Sequence, residues 1–80
     1  MLTLVQFLVS NLVSHPAEVQ LQESEDSQGQ REILLTVHPA DLCSIIGKNG
    51  RTIRAVRTLM AIAAAKNGGA FVLKVDTGLD

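Results

Sequence analysis

Aromatic residues and cysteine are almost missing from this chain of 80 residues, and each absence excludes a kind of structure. Phe7 and Phe71 are the only Phe, Tyr or Trp residues, so the core must be aliphatic and a nucleic-acid site cannot depend on aromatic stacking. Cys43 is the single cysteine, which rules out an internal disulfide and fits a reducing compartment. Two histidines and one cysteine, widely spaced, do not make a metal-site pattern, and we expect no cofactor.

A long hydrophobic run is also missing. The apolar N-terminus is far shorter than a membrane span, has no basic residue before its apolar stretch and shows no small-residue cleavage pattern. We therefore expect a cytoplasmic protein with no membrane partner. A hydrophobic content of 46% suits a globular fold, and the length predicts one domain over residues 1–80.

Acidic residues are absent from residues 42–75, a stretch that carries six Lys or Arg residues. Residues 1–41 show the reverse balance, with six acids and one base. This polarity is typical of a surface that binds a polyanion, although two ordinary solvated faces would have the same composition.

Apolar periodicity in the first part of the chain predicts a helix and then a strand. Apolar residues three and four positions apart indicate a helix over residues 1–14, which the His-Pro pair at residues 15–16 ends. Val19 and Leu21 alternate with polar residues, which indicates a short, half-exposed strand. The polar, acidic stretch over residues 24–30 predicts a loop.

The rest of the chain predicts a strand, two helices and a last strand. A continuous apolar run over residues 31–38 favours a well-buried strand, and Pro39 then opens a short helix. A longer helix over residues 51–66 is stopped by the Asn-Gly-Gly of residues 67–69, before a strand over residues 70–75. The sequence therefore predicts an α+β fold, in the order α-β-β-α-α-β, with a three-stranded sheet and helices packed on one face.

Two glycines three positions apart, Gly47 and Gly50, join the two later helices. Glycine permits backbone angles that a side chain forbids and lets another backbone come close. Lys48 and Asn49 between them can donate to phosphate oxygens, and the free N–H groups of the following helix point to the same place. These features converge on an anion and require no particular base. The phosphate loops of nucleotide-binding proteins need a different spacing and a preceding strand.

The longer helix has an apolar face and a basic face. At about 100° per residue, one face is formed by apolar residues that we expect in the core: Ile53, Val56, Met60, Ala63 and Ala64. Arg51, Arg54 and Arg57 lie on the other side and continue the positive surface from the loop, or form an ordinary solvated helix face.

The segment around the two glycines resembles the KH family, whose hallmark is an apolar-apolar-G-x-x-G-x-x-apolar signature between two helices. Ile45 and Ile46 precede the first glycine, and Ile53 follows the second. The predicted order of elements looks like the type II KH arrangement. The His-Pro pairs at residues 15–16 and 38–39, with the Ala-rich helix that begins Arg-Thr, are similar to those of small stand-alone bacterial KH proteins. Where those proteins usually have Gly-Lys before the two apolar residues, this chain has Cys-Ser, which removes one potential phosphate contact.

The resemblance implies a groove that holds about four nucleotides of single-stranded RNA, with the RNA backbone clamped by the loop. Bases would then lie on aliphatic side chains, for which Ile45, Ile46 and Ile53 are candidates, with membership of the core as the alternative for these isoleucines. The resemblance also implies a role in post-transcriptional regulation or as an RNA chaperone. The expected RNA-binding residues are Ile46, Gly47, Lys48, Asn49, Gly50, Arg51, Ile53 and Arg54.

Other functions remain open at this stage. Single-stranded DNA is an alternative ligand. Protein association is another, because Ala55 and Ile62 lie beside the core stripe of the long helix, and the resemblance implies a homodimer or a heterodimer with a larger KH-containing protein. Catalysis is not expected, since Cys43 and His38 are the only pair that resembles a nucleophile and base, and no third member is evident.

Overall fold

The computed structural model describes residues 1–67 and 69–76, which form three helices and one sheet of three strands. The helices are α1 (Leu2–Ser10), α2 (Leu42–Ile46) and α3 (Arg51–Asn67). The strands are β1 (Gln20–Glu25), β2 (Arg31–Thr36) and β3 (Phe71–Val75). The predicted order α-β-β-α-α-β and the α+β class are confirmed. Gly68, which the sequence assigns to the stop of the long helix, and residues 77–80 lie outside the described residues.

The sheet has the strand order β1-β2-β3, with β1 antiparallel to β2 and β2 parallel to β3. Parallel neighbours cannot be joined by a tight hairpin and need a crossover connection. The segment that contains α2 and α3 supplies this crossover, so both helices pack on the same face of the sheet as α1. None of the helices in the described ranges is long and apolar enough to cross a bilayer.

An aliphatic core lies between that face and the helices, as the scarcity of aromatic residues predicts. Alternate residues of β2 point into it, and Ile33 and Leu35 are fully buried. Val5 and Val9 cover them from α1. The other buried members of this core cluster are Val37, Ile45, Ile53, Val56, Met60 and Leu73.

The first helix is shorter than the sequence predicts, ending at Ser10 and not near residue 14. The side-chain amide of Asn11 donates to the carbonyl of Phe7 at 2.7 Å, which satisfies one of the last carbonyls of α1. The chain beyond this cap leaves the helix, and a carboxylate from elsewhere in the fold binds the backbone of Ser14 and His15.

The first strand is longer than predicted, because it continues through residues that the sequence assigns to a loop. Ser24 pairs with Glu32, and Glu25 with Arg31, so backbone pairing extends to the tip of the hairpin despite polar side chains. The turn itself is confined to residues 26–30, where the N–H of Asp26 donates to the carbonyl of Gln30 at 2.9 Å.

Candidate nucleic-acid interface

The interface is built on the segment that runs from the end of β2 into α2. His38 precedes a one-turn 3-10 segment at Pro39–Asp41, and its Nδ1 accepts a hydrogen bond from the N–H of Ala40 at 3.0 Å. The helix α2 follows directly and is only five residues long. It ends at Gly47, whose N–H donates to the carbonyl of Cys43 at 2.8 Å.

Gly47 is confined both by its backbone angles and by its neighbours. Its φ of 75° and ψ of 175° fall in a region that is essentially restricted to glycine. A Cβ at this position would lie 2.3 Å from Oγ1 of Thr52 and 2.8 Å from the backbone nitrogen of Thr52. The close backbone approach that a glycine allows is therefore made here by the first turn of α3, which packs directly on the loop.

The chain then turns sharply into α3 through two residues with left-handed backbones, Asn49 (φ 57°) and Gly50 (φ 74°). The N–H of Gly50 donates to the carbonyl of Gly47 at 3.2 Å, and the N–H of Arg51 donates to the carbonyl of Lys48. Lys48 and Asn49 form the exposed tip of this turn. We call residues 47–50 the GxxG loop.

Among residues 1–67 and 69–76, no acidic side chain forms an ion pair with the cations around the GxxG loop. Lys48 and Arg51 are exposed. In the described part of the chain the ion pairs lie elsewhere, between His15 and Asp41, Arg31 and Glu25, and Lys74 and Glu32. Both cations therefore remain available to an external anion, and they flank the N-terminal end of α3, where the helix dipole adds partial positive charge.

The three arginines that the sequence groups on one basic face do not share one environment. The guanidinium of Arg54 folds back on the GxxG loop, with Nε donating to the carbonyl of Gly50 at 3.2 Å and Nη2 donating to the carbonyl of Asn49. Arg57 reaches the sheet, where its Nη2 donates to the carbonyl of Leu73 at 3.0 Å. The carbonyl groups within reach of each arginine determine its hydrogen bonds. The spacing of the arginines along the helix does not predict which carbonyls these are.

The three isoleucines proposed to touch bases also differ. Ile45 is 1% exposed and Ile53 is 7% exposed, so both belong to the core. Ile46 is half-buried beside the GxxG loop and is the one of the three with apolar surface to offer a ligand.

Asp41, a buried carboxylate at the start of α2, was not predicted from the sequence to bind another segment of the chain. Asp41 accepts hydrogen bonds from the N–H of Ser14 at 3.0 Å, the N–H of His15 at 2.9 Å and Nδ1 of His15 at 2.9 Å. These bonds, first of all the one from Ser14, lower the pKa of Asp41 against the opposing effect of burial. The ring of His15 stacks on that of His38, with 4.0 Å between centroids. The two His-Pro pairs in the sequence mark this cluster, which ties the chain after α1 to the start of α2.

The residues proposed for association are on the surface. Ala55 is exposed on α3 and helps to line a cavity of about 290 Å³, together with Phe7, Leu12 and Leu59. The exposed fractions of those three are 65%, 40% and 45%. Ile62 is 54% exposed but does not line the cavity. The sequence did not point to Phe7 or Leu59, because only the packing of α1 beside α3 brings them together.

Comparison with known proteins adds an independent finding. The sequence profile of the KH domain of KhpA and KhpB proteins matches residues 3–75. The RNA-binding protein KhpA of Halalkalibacterium halodurans is 42% identical over 66 residues, which cover 82% of this chain and 86% of that protein. The protein of the same name from Chlamydia trachomatis is 46% identical over 63 residues, or 76% of this chain and 77% of the relative. The one from Streptomyces coelicolor is 35% identical over 72 residues, covering 90% of both chains.

Proposed function

The chain belongs to the KhpA/KhpB family of KH domains, and we propose that it binds single-stranded RNA through the GxxG loop. The observation that carries the proposal is the build of that loop. Gly47 is seated against Thr52, so the turn presents Lys48 and Asn49 at its tip, beside the N-terminal end of α3. Relatives named RNA-binding protein support the same ligand class.

The proposed binding is mainly electrostatic and directed at the RNA backbone. Lys48 and Arg51 are exposed cations without acidic partners among residues 1–67 and 69–76, and Asn49 carries an amide that can donate to a phosphate oxygen. Each phosphate neutralised on a single strand contributes about −0.7 to the slope of log affinity against log salt concentration. Two or three contacts therefore predict a slope of roughly −1.5 to −2.

We propose that the bases lie on apolar surface next to the loop, where Ile46 is the available aliphatic side chain. Phe7 and Phe71 both lie outside the segment of residues 45–54, and stacking on aromatic residues is not needed for KH-type recognition. A backbone clamp by itself does not distinguish RNA from single-stranded DNA, for which contacts to the 2′-hydroxyl would be required. A role in post-transcriptional regulation or as an RNA chaperone is the cellular function that we propose for such a binder.

The test is a fluorescence anisotropy titration of a labelled, mixed-sequence single-stranded RNA at several salt concentrations. The variant Lys48→Asp/Asn49→Asp makes the loop tip acidic, keeps both glycines and should keep the fold. A matched control, Gln28→Asp/Lys66→Asp, makes the same change in net charge at exposed positions outside the loop. Circular dichroism checks that all three proteins are folded.

We expect the loop variant to lose binding and the control to keep most of it. Equal binding by wild type and the loop variant would show that another surface holds the RNA. Equal losses in both variants would mean that net charge and not the loop determines affinity. The same titration with DNA of identical sequence measures the discrimination between the two ligands.

A second candidate function, self-association, is favoured by the exposed apolar surface of α1 and α3. We propose that a second copy of the chain covers the cavity lined by Phe7, Leu12, Ala55 and Leu59. None of the residues that line this cavity is charged. A two-fold contact places the same patch of both copies face to face, so a surface without charges avoids repulsion between like charges. Ile62, one turn further along α3, would then lie at the edge of the contact.

Sedimentation velocity tests this second proposal. We expect Leu59→Lys to shift a dimer to monomer and Ile62→Lys to weaken it less, whereas Val72→Lys, an exposed apolar position on the sheet, should have no effect. A wild type that is monomeric at all concentrations would exclude the homodimer and direct attention to a larger KH-containing partner.

A further inference from the structure

We infer that Arg54 is a positioning residue, which clamps the carbonyls of Asn49 and Gly50 and thereby holds the GxxG loop in its binding shape. The inference rests on the proposed function of the loop. It gives Arg54 a different role from the direct RNA contact that the sequence analysis expects of this side chain. It predicts that Arg54 supports RNA affinity without contacting a phosphate.

The contact geometry is specific to arginine at this position. Arg54 lies four residues after Gly50, one turn into α3, so its side chain can reach back over the end of the loop. Nε and Nη2 donate to two successive carbonyls, of Gly50 and Asn49. A planar guanidinium presents several donors in a fixed fork, whereas the ammonium of lysine is a single point at the end of a flexible chain. Lysine would therefore keep the charge and lose the two-point contact.

Both peptide planes at the end of the loop are fixed at two edges because of this contact. In a planar trans peptide the carbonyl of one residue and the N–H of the next point in opposite directions. The carbonyl of Asn49 binds Arg54 while the N–H of Gly50 binds the carbonyl of Gly47. The carbonyl of Gly50 likewise binds Arg54 while the N–H of Arg51 binds the carbonyl of Lys48.

This double fixation matters because the turn adopts backbone angles that are otherwise costly. Asn49 is the one residue other than glycine with a positive φ in the described ranges. A left-handed backbone costs free energy at a residue with a side chain, although less at asparagine than at most others, so hydrogen bonds that hold it stabilise the turn. A loop already held in this shape loses less conformational entropy when a ligand binds, and affinity rises without any new contact to the ligand.

The donors of Arg54 are thus partly committed to the protein, unlike the side chain of Arg51 beside the loop. The two roles leave different signatures in salt. Removing a phosphate contact reduces the magnitude of the salt slope by about 0.7, whereas loss of loop order weakens binding at every salt concentration and leaves the slope unchanged.

The experiment combines a measurement on the free protein with the RNA titration. Amide hydrogen exchange and ¹⁵N relaxation of residues 48–51 report loop order without any ligand. They would be recorded for wild type, Arg54→Lys, Arg54→Gln and the phosphate-contact control Arg51→Gln. We expect both Arg54 variants to increase amide exchange and mobility in the loop and to bind RNA about three- to tenfold more weakly with the wild-type slope. Arg51→Gln should leave loop order intact and flatten the slope.

Two results would overturn the inference: wild-type loop order in Arg54→Lys, or a flattened slope in Arg54→Gln that matches Arg51→Gln. If wild type binds no RNA, the proposed function fails, and the measurement on the free protein decides the clamp alone. A loosened loop in Arg54→Lys would then support the clamp, and an unchanged loop would overturn it.

Discussion

Two turns within residues 1–67 and 69–76 contain a glycine with a left-handed φ, and their surroundings differ. In the hairpin turn of residues 26–30, Gly29 has a φ of 81°, and a Cβ added there would meet no atom within 4 Å. In the GxxG loop, Gly47 has a φ of 75°, and a Cβ would lie 2.3 Å from Thr52. The hairpin glycine is needed only for the direction of the backbone. The loop glycine is needed for direction and for space, because another element packs on it.

The side chains that stabilise the two turns also have opposite chemistry. In the hairpin turn, Oδ1 of Asp26 accepts hydrogen bonds from the N–H groups of Gln28 and Gln30, so an acidic side chain satisfies backbone donors. In the GxxG loop, Arg54 donates to two carbonyls, so a basic side chain satisfies backbone acceptors. A phosphate would meet negative charge at the first turn and positive charge at the second. The first turn connects two strands, whereas the second carries the exposed cation that we propose binds a phosphate.

The largest expected effect is that of Gly47→Ala. The glycine-only backbone angles and the overlap with Thr52 together should lower the free energy of unfolding by about 2–5 kcal/mol. Urea denaturation followed by circular dichroism measures this loss. Adding Thr52→Ala removes Oγ1 but leaves Cβ and the backbone nitrogen 2.8 Å from the new methyl group, so stability should recover only in part. A fully recovered double variant would show that the backbone does not need glycine at this position.

A smaller and pH-dependent effect is expected when Asp41, at the start of α2, is compared with Asp26 of the hairpin turn. Asp41 uses both carboxylate oxygens, Oδ1 for the N–H of Ser14 and Oδ2 for His15, whereas Asp26 uses only Oδ1 for its two N–H donors. An amide has a single acceptor oxygen. Asp41→Asn should therefore destabilise the fold clearly, and Asp26→Asn should have little effect in the same denaturation assay.

The pH dependence follows from the pKa of Asp41, which is lowered in the folded protein mainly by the hydrogen bond from Ser14. A carboxyl group with a lowered pKa releases its proton more readily when folded, so its stabilisation is present above its ordinary pKa of about 4. That stabilisation is lost as the pH falls through the lowered value. We expect the stability of wild type to decline below about pH 4 and the decline to be shallower in Asp41→Asn. Parallel pH profiles for the two proteins would contradict this assignment.

The sequence predicts the features that depend on residues close together in the chain, and it misses those that depend on contacts formed only in the folded protein. The order of elements, the core face of α3 and the GxxG loop follow from apolar periodicity and from two glycines, which act within a few residues. The end of α1 at Ser10 and the extension of β1 to Glu25 depend on an amide cap and on strand pairing, which override the polarity pattern. Arg54 differs from Arg51 because two carbonyls of the loop lie within its reach. The spacing of the two arginines in the sequence does not predict this difference. The site of Asp41 joins segments that are 26 and 27 residues apart.

An intermediate effect on binding, with a small one on stability, is expected for Gly50→Ala. The nearest atoms to a Cβ at Gly50 are Nε of Arg54 at 3.9 Å and Cγ2 of Ile53 at 4.0 Å, so there is space for a methyl group. Only the left-handed backbone is penalised, by about 1 kcal/mol. If the altered turn relaxes its φ, the bond from Arg54 is disturbed and RNA binding should weaken by about two- to fivefold. Anisotropy titration and denaturation of the same sample separate the two effects, and a loss of stability as large as that of Gly47→Ala would contradict the space for a methyl group at Gly50.

The smallest effect on function is expected for Gly29→Ala, which tests the other side of the comparison. The penalty is again that of a left-handed backbone with a side chain, about 1 kcal/mol, because no atom lies close enough to clash. The hairpin turn keeps its hydrogen bonds to Oδ1 of Asp26, and its acidic side chains should repel a phosphate. Gly29→Ala and Gly50→Ala should therefore have similar denaturation midpoints while only the second binds RNA more weakly. If both variants lose RNA affinity equally, the loss comes from reduced stability alone. That result would contradict RNA binding through the GxxG loop.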